Sequence, residues 1–303
     1  MLRLRENVGS IIQSDRELKT KELEEIQETV RVFAALSRWE LAQTICEHLG
    51  WLTASGSYKT DACLKLLEHL DANGCLRLPP KRTIAPQRHS AVVFTPGTGP
   101  QPEISGNVGD RGPVEVEPVN GSEVTALWNE YVSRYHYLGY KRPFGCYVRY
   151  FISSPDGILG CLMFQGAAKA LGARDEWIGW TRHQRMSNLP WVINNSRFLI
   201  LPWVKVKNLG SHILAKTLRR LRDDWRQRWG YGPLVAESFV DPQRYEGCSY
   251  KAANWHYLGM TTGRGLPRKG KHYTTTPKKI FVRPLVKDFR EQLCSEHLKG
   301  RVD

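Results

Sequence analysis

The sequence predicts an α+β protein of 303 residues, with a winged-helix-like helical unit at the N-terminus and a mixed α/β domain after it. Three observations carry this. Helix-favouring sequence runs from Glu17 to about Leu49 and again from Thr60 to Leu70, the composition turns to Pro, Gly and Ser after Pro79, and strand-length apolar runs alternate with helical patterns after Val124. The expected division is a winged-helix-like unit over residues 1–85, a flexible linker over 86–118 and the α/β domain over 119–303.

Glu17 to Leu36 has high helix propensity and mixed charge, and Ser37 with Glu40 forms a capping-box pattern that opens a second helix to about Leu49. Thr60 or Asp61 opens a third, with Cys63, Leu66, Leu67 and Leu70 on one face, and Cys75–Leu78 reads as a short strand. That order is the order of a winged helix-turn-helix. It places Tyr58, Lys59, Lys65, Arg77, Lys81 and Arg82 on or beside a recognition helix and wing. Because this unit carries 13 Lys and Arg against 12 Asp and Glu up to Ser90, a helical docking module is the competing reading.

The stretch from Pro79 to Pro118 is too poor in apolar residues to offset the entropy of an ordered chain, hence the linker. In the α/β domain, Val124–Tyr137 is an amphipathic helix, and Gly145–Ser153 and Gly157–Gln165 are paired strands around a Pro-Asp-Gly turn. Asp175–Trp180 and Phe198–Leu201 continue the sheet. A helix over 209–229, a strand over Pro233–Asp241, a short helix over Cys248–Leu258 and a last strand over Lys279–Pro284 complete it.

The formal net charge is +14. Residues 123–303 hold 30 of the basic residues against 14 acidic ones, so the positive field belongs to this domain. A field of that sign and size favours a polyanion, with DNA the expected partner. No apolar run approaches the ~20 residues that span a bilayer, and the first residues lack the apolar core of a signal peptide, so no membrane partner and a cytoplasmic location are expected. Seven cysteines without a Cys-x-x-Cys pattern fit reduced thiols better than disulfides or a zinc site. A homo-oligomer is compatible with all of this.

Five groups of residues can carry chemistry. The strand, basic turn and helix from Arg197 to Leu221 aim backbone N–H groups outward, where Lys205, Lys207, Asn208, Gly210 and Ser211 can hold an anion such as a pyrophosphate. Glu237 and Asp241, at a strand end, are candidate general bases or metal ligands; with Asp175 or Glu176 they would hold Mg²⁺ for phosphodiester cleavage. Tyr250 is a candidate general acid or nucleophile, against the plainer reading of an aromatic packing residue. Arg182, Arg185 and the pair Asn194–Asn195 suit contacts to phosphate or to a flipped base, or equally to buried backbone groups. From Thr261 to Lys279, Arg264, Arg268, Lys269 and Lys271 alternate with Gly, Thr and Tyr273, so that cations follow phosphates while the ring stacks on a base. His136 and His183 lack metal-ligand spacing and read as structural.

Strand, Lys205-x-x-Asn208-x-Gly210, long helix, strand and Tyr250–Gly259 together resemble the core of the GNAT acyltransferases. That resemblance implies a GNAT-like fold, with acetyl-CoA at the loop and a tyrosine acid. Lys205 stands where that superfamily has Gln or Arg and Asn208 where it has its first Gly, which weighs against acetyl-CoA. Tyr135–Gly139, Asp175–Trp180, Asn194–Pro202, Glu237–Asp241 and Tyr250–Trp255 resemble the DruA family of the Druantia anti-phage systems, over roughly residues 123–285. This implies a role in phage defence or in mobile elements, beside other proteins of such an operon. The function expected is DNA recognition with DNA processing. The alternatives are an acyltransferase acting on DNA bases or protein, and a non-catalytic recognition module.

Overall fold

The computed structural model describes residues 10–13, 16–81, 92–110, 112–143, 145–263, 276–296 and 298. The chain divides into two compact units, one within residues 1–89 and the other within 90–298.

The first unit opens with an antiparallel hairpin, β1 (Ser10–Gln13) and β2 (Arg16–Lys19), followed by α1 (Thr20–Val32), α2 (Arg38–His48) and α3 (Thr60–Ala72). The predicted capping box is present: the Glu40 N–H donates to Ser37 Oγ (3.3 Å) and the Ser37 N–H to Glu40 Oε2 (2.8 Å). Ile26, Leu41, Ile45, Leu66 and Leu67 close a fully buried core. Two expectations need correction. Residues 17–19 are strand rather than helix, and Cys75–Leu78 forms no strand, because the Leu78 N–H is drawn onto Asp71 Oδ1 (3.1 Å) and the Cys75 N–H closes the end of α3 on Leu70 O (2.9 Å).

The second unit begins with β3 (Ile104–Asn107), β4 (Glu115–Pro118), α4 (Ser122–Tyr135), β5 (Tyr147–Ser154), β6 (Gly157–Gly166), α5 (Gly172–Ile178) and α6 (Arg182–Asn188). Then come β7 (Val192–Ile200), β8 (Val204–Lys207), α7 (Leu209–Trp229), β9 (Val235–Val240), α8 (Cys248–Ala252), β10 (His256–Met260), β11 (Lys279–Pro284) and α9 (Phe289–Leu293). Seven strands form one sheet in the order β10-β11-β9-β7-β6-β5-β4, antiparallel throughout except for the parallel pair β7–β9. Alternation along β5 puts helices on both faces. Phe151 meets Tyr131 of α4 edge-on at 6.2 Å, and its neighbour Tyr150 donates to Asp224 of α7 at 2.9 Å.

The flexible linker expected over 86–118 is corrected where it is described. β4 pairs with β5, β3 runs parallel to β8, and the start of the segment is pinned by Glu130, whose buried carboxylate accepts the Thr95 N–H and the Thr98 hydroxyl (2.5 Å). Few apolar side chains are needed because partner strands and a buried carboxylate satisfy this backbone. Asp175–Trp180 is helix α5 and a turn at Gly179 (φ 87°) rather than strand, and Cys248–Leu258 splits into α8 and β10.

Candidate functional site: a cleft between parting strands

β7 and β9 pair only from Val192 to Asn195 against Val235 to Ser238, although β7 runs on to Ile200 and β9 to Val240. Beyond Asn195 and Ser238 they part. A cavity of about 500 Å³ fills the gap, walled by Ser196–Ile200 and Ser238–Asp241, floored by Cys248–Tyr250 of α8 and flanked by Tyr135–Leu138 after α4. This is the size and setting of a small-ligand site.

The parting begins at a β-bulge. Phe164 faces Asn195 and Met163 faces Arg197, so Ser196 is an extra residue that re-aims the rest of the strand. Asn195 staples the bulge, its Nδ2 donating to Met163 O and Arg197 O (3.1 Å each). Its Oδ1 accepts the Tyr250 hydroxyl at 2.6 Å, and Ser238 Oγ donates to the Tyr250 oxygen at 2.9 Å. Burial holds the Tyr250 phenol well above its usual range, the Ser238 contact opposing, so it stays a neutral hydroxyl. Its ring stacks on Phe281 with centroids 5.3 Å apart. Two polar atoms of β7 beside the cleft, Asn194 Oδ1 and Ser196 Oγ, are buried and have no protein partner. A native protein rarely leaves such groups unpaired, and a ligand supplying hydrogen bonds satisfies them.

Of the predicted catalytic residues, Asp241 and Tyr250 line the cleft; Glu237 and Asp175 do not. Alternation along β9 turns Glu237 away from Ser238 and the cleft. There it is fully buried, accepting the Ala168 N–H (2.7 Å) and pairing with Arg174 Nη1 (2.8 Å). Burial pushes the Glu237 carboxyl up, against the pull of Arg174. Arg174 also binds Asp175 Oδ1 (2.8 Å), while Arg185 takes Asp175 Oδ2 (2.9 Å). Burial opposes it, but these two cations hold the Asp175 carboxyl below the usual range. The predicted metal trio is therefore corrected to an ion-paired structural cluster plus Asp241, which caps a turn by accepting the Gln243 N–H at 3.0 Å. The residues do not fit Mg²⁺: among the described residues no three His, Cys, Asp or Glu side chains are grouped to hold a metal ion.

The predicted anion loop is also changed. Lys205 and Lys207 are exposed on β8, and Asn208 takes the left-handed conformation (φ 60°) that turns the chain into α7. Ser211 Oγ donates to the Asn208 carbonyl at 3.0 Å. A Cβ on Gly210 would lie 2.3 Å from Ser249 Oγ, so the packing of α7 on α8 calls for a glycine here.

Among the predicted DNA contacts, Lys65, Arg77, Lys81 and Arg182 are surface residues and Lys59 is half-buried. Lys81 is paired with Glu68 (2.8 Å) and Arg185 with Asp175. Arg82, Arg264, Arg268, Lys269, Lys271 and Tyr273 lie outside the described residues. Sequence reasoning missed Ser196, Arg197, Ser238 and Tyr245 as cleft residues; the polar run Asn194–Arg197 in an otherwise apolar strand signalled the first two, and nothing local signalled Ser238 and Tyr245. No described helix is long and apolar enough to cross a membrane.

A search of curated proteins finds no match. Among solved structures the chain is similar to a Bacillus subtilis acetyltransferase in complex with CoA, at 9% identity over 57% of this chain and 99% of that one, TM-score 0.33. It is similar also to the aminoglycoside acetyltransferase AAC(6')-Ib in complex with coenzyme A (14% identity, 60% and 99% covered, TM-score 0.37) and to an N-acetyltransferase from Staphylococcus aureus Mu50 (9% identity, 57% and 97% covered, TM-score 0.31). The family description "Druantia protein DruA" matches residues 98–268, a span that runs from the Thr98 anchor through β3 to β10, with the cleft strands and α8, and stops before β11. With more than half its length so matched, the chain belongs to the Druantia DruA family.

Proposed function

We propose that this protein engages DNA in anti-phage defence and that the cleft between β7 and β9 receives one nucleobase drawn out of the strand. The observation that carries the reading is the pair of buried, unpartnered atoms Asn194 Oδ1 and Ser196 Oγ beside the cavity. An unpartnered acceptor and an unpartnered hydroxyl on two residues that line the same cavity suit the amino and carbonyl edge of a base. Tyr137 and Tyr245 stand at the same cavity with centroids 6.0 Å apart, and Tyr245 is 56% exposed, which suits stacking on a base or its neighbour. The net charge of +14 supplies sequence-independent attraction to the backbone. The N-terminal unit, through Lys65 on α3 and Arg77 after it, is a second DNA-contacting surface in this reading, together with the basic stretch around Arg268 and partner proteins of a defence operon. Recognition of a base is favoured over strand cleavage because Glu237 and Asp175 are engaged by Arg174.

Single-stranded DNA carrying 2-aminopurine reports base withdrawal by its fluorescence. Wild type is expected to raise that signal on binding, and Tyr245→Ala to weaken affinity by roughly fivefold or more, as the loss of one stacked base implies. DNA affinity without a fluorescence change, and unaltered in the variant, would overturn the cleft as the base site. A second reading, acyl transfer, draws on the parting of β7 and β9. Acetyl-CoA that raises the melting temperature would favour it; no change is the expected result.

A further inference from the structure

We propose that Arg197, Lys141 and Arg142 form a phosphate-binding subsite beside the cleft, placed for the phosphate of the nucleotide whose base enters between β7 and β9. The nucleotide part of this proposal rests on the base-binding reading above; the phosphate part does not. Arg197 is only 8% exposed, yet no described carboxylate pairs with it. Its Nε donates to the Gly139 carbonyl (2.9 Å) and its Nη1 to the Ser196 carbonyl (2.7 Å), while Nη2 has no partner among the described residues. The contrast within the unit is informative. Arg174 is neutralised by Glu237 and Asp175, and Arg149 lies over the rings of Trp128, Tyr140 and Tyr147. Arg197 has neither kind of compensation.

The side chain faces open space. Arg197 lines the main cleft and also a smaller cavity of about 350 Å³ that it shares with Gln165 and the exposed Lys141 and Arg142. A desolvated guanidinium fixed by two carbonyls, with a free N–H pair and two further cations opening on the same space, matches the charge and the forked donor geometry that phosphate oxygens require. Its own burial destabilises the cation, and an anion would offset that cost. Because Arg197 lines both cavities, a phosphate here and a base in the cleft would share this side chain as a common wall.

The test uses the full chain and three probes: inorganic phosphate, a deoxynucleoside monophosphate and the matching deoxynucleoside, each against potassium chloride at equal ionic strength. Inorganic phosphate is expected to raise the melting temperature of wild type, and the monophosphate to bind about tenfold tighter than the nucleoside, the size of one or two charge-assisted hydrogen bonds. Lys141→Ala with Arg142→Ala, both on the surface and so without consequence for folding, should remove most of that advantage and leave nucleoside affinity unchanged. Arg197→Gln should remove it entirely. If phosphate protects no better than chloride and the monophosphate gains nothing over the nucleoside, the subsite is wrong whatever the nucleoside does. Should phosphate protect wild type but not the variants while the nucleoside fails to bind, the subsite stands and the base-binding reading falls.

Discussion

Arg174 Nη1 lies 2.8 Å from Glu237 Oε2, and neither side chain has any exposed surface. This pair ties α5 to β9 on the face of the sheet away from the cleft, and Arg174 extends it to Asp175, which also accepts the Trp180 indole N–H at 3.1 Å. Removing one partner of such a pair strands the other as a buried charge. Arg174→Met is expected to cost about 3–5 kcal/mol of stability. Glu237→Gln should cost less, because the amide oxygen still accepts the Ala168 N–H. Urea denaturation checks both, and an Arg174→Met midpoint equal to wild type would refute the structural role.

Tyr250 predicts loss of stability rather than of a nucleophile. Tyr250→Phe keeps the stack on Phe281 but leaves Asn195 Oδ1 and Ser238 Oγ without their shared partner, at a cost of about 1–3 kcal/mol. Because Asn195 staples the bulge, proteolysis or hydrogen exchange near Ser196 should rise. Wild type mixed with DNA should give no covalent adduct by mass spectrometry, since burial keeps the phenol protonated. An adduct abolished by Tyr250→Phe would reinstate the nucleophile.

Gly210 and Ser249 make a test of packing by rescue. Gly210→Ala drives a Cβ to 2.3 Å from Ser249 Oγ and 3.0 Å from its Cβ, so overpacking of about 1–3 kcal/mol is expected. Ser249→Gly in the same chain removes both atoms and should recover most of the loss. A double-mutant cycle with no coupling would show that α8 is not what the glycine serves.

What the sequence made legible was local. The capping box at Ser37, the apolar face of α3, the β5–β6 hairpin and the amphipathic α7 each arise from short-range rules, and each is present. The cleft was not legible, because it depends on where two strands stop pairing and on a bulge at Ser196 that breaks the period-two alternation. The segment 95–118 misled for a related reason: its order comes from Glu130 and from strands distant in sequence. Glu237 and Asp175 read as catalytic candidates because the residue that decides their chemistry, Arg174, is visible only once α5 is folded against β9.

His136 provides a pH signature of the cleft wall. Its Nδ1 accepts the Leu138 N–H at 3.2 Å, and burial together with the Arg197 charge holds its pKa at about 4, below the ordinary 6.5. Between those values the unfolded chain binds a proton that the folded chain refuses, so stability rises with pH across this window. The contribution is absent above the unfolded value and amounts to a loss of roughly 2–3 kcal/mol on descending to the folded one. Asp175, whose pKa is lowered, adds a loss at still lower pH, and Glu237, whose pKa is raised, contributes the opposite slope as pH rises through its folded value. Subtraction separates them. His136→Asn leaves both carboxylates in place, so the difference in unfolding free energy between wild type and variant should change by roughly 2–3 kcal/mol between pH 7 and pH 4.5, falling for wild type alone. Parallel pH profiles for the two proteins would show that His136 is solvated and that the wall of the cleft is not packed as described.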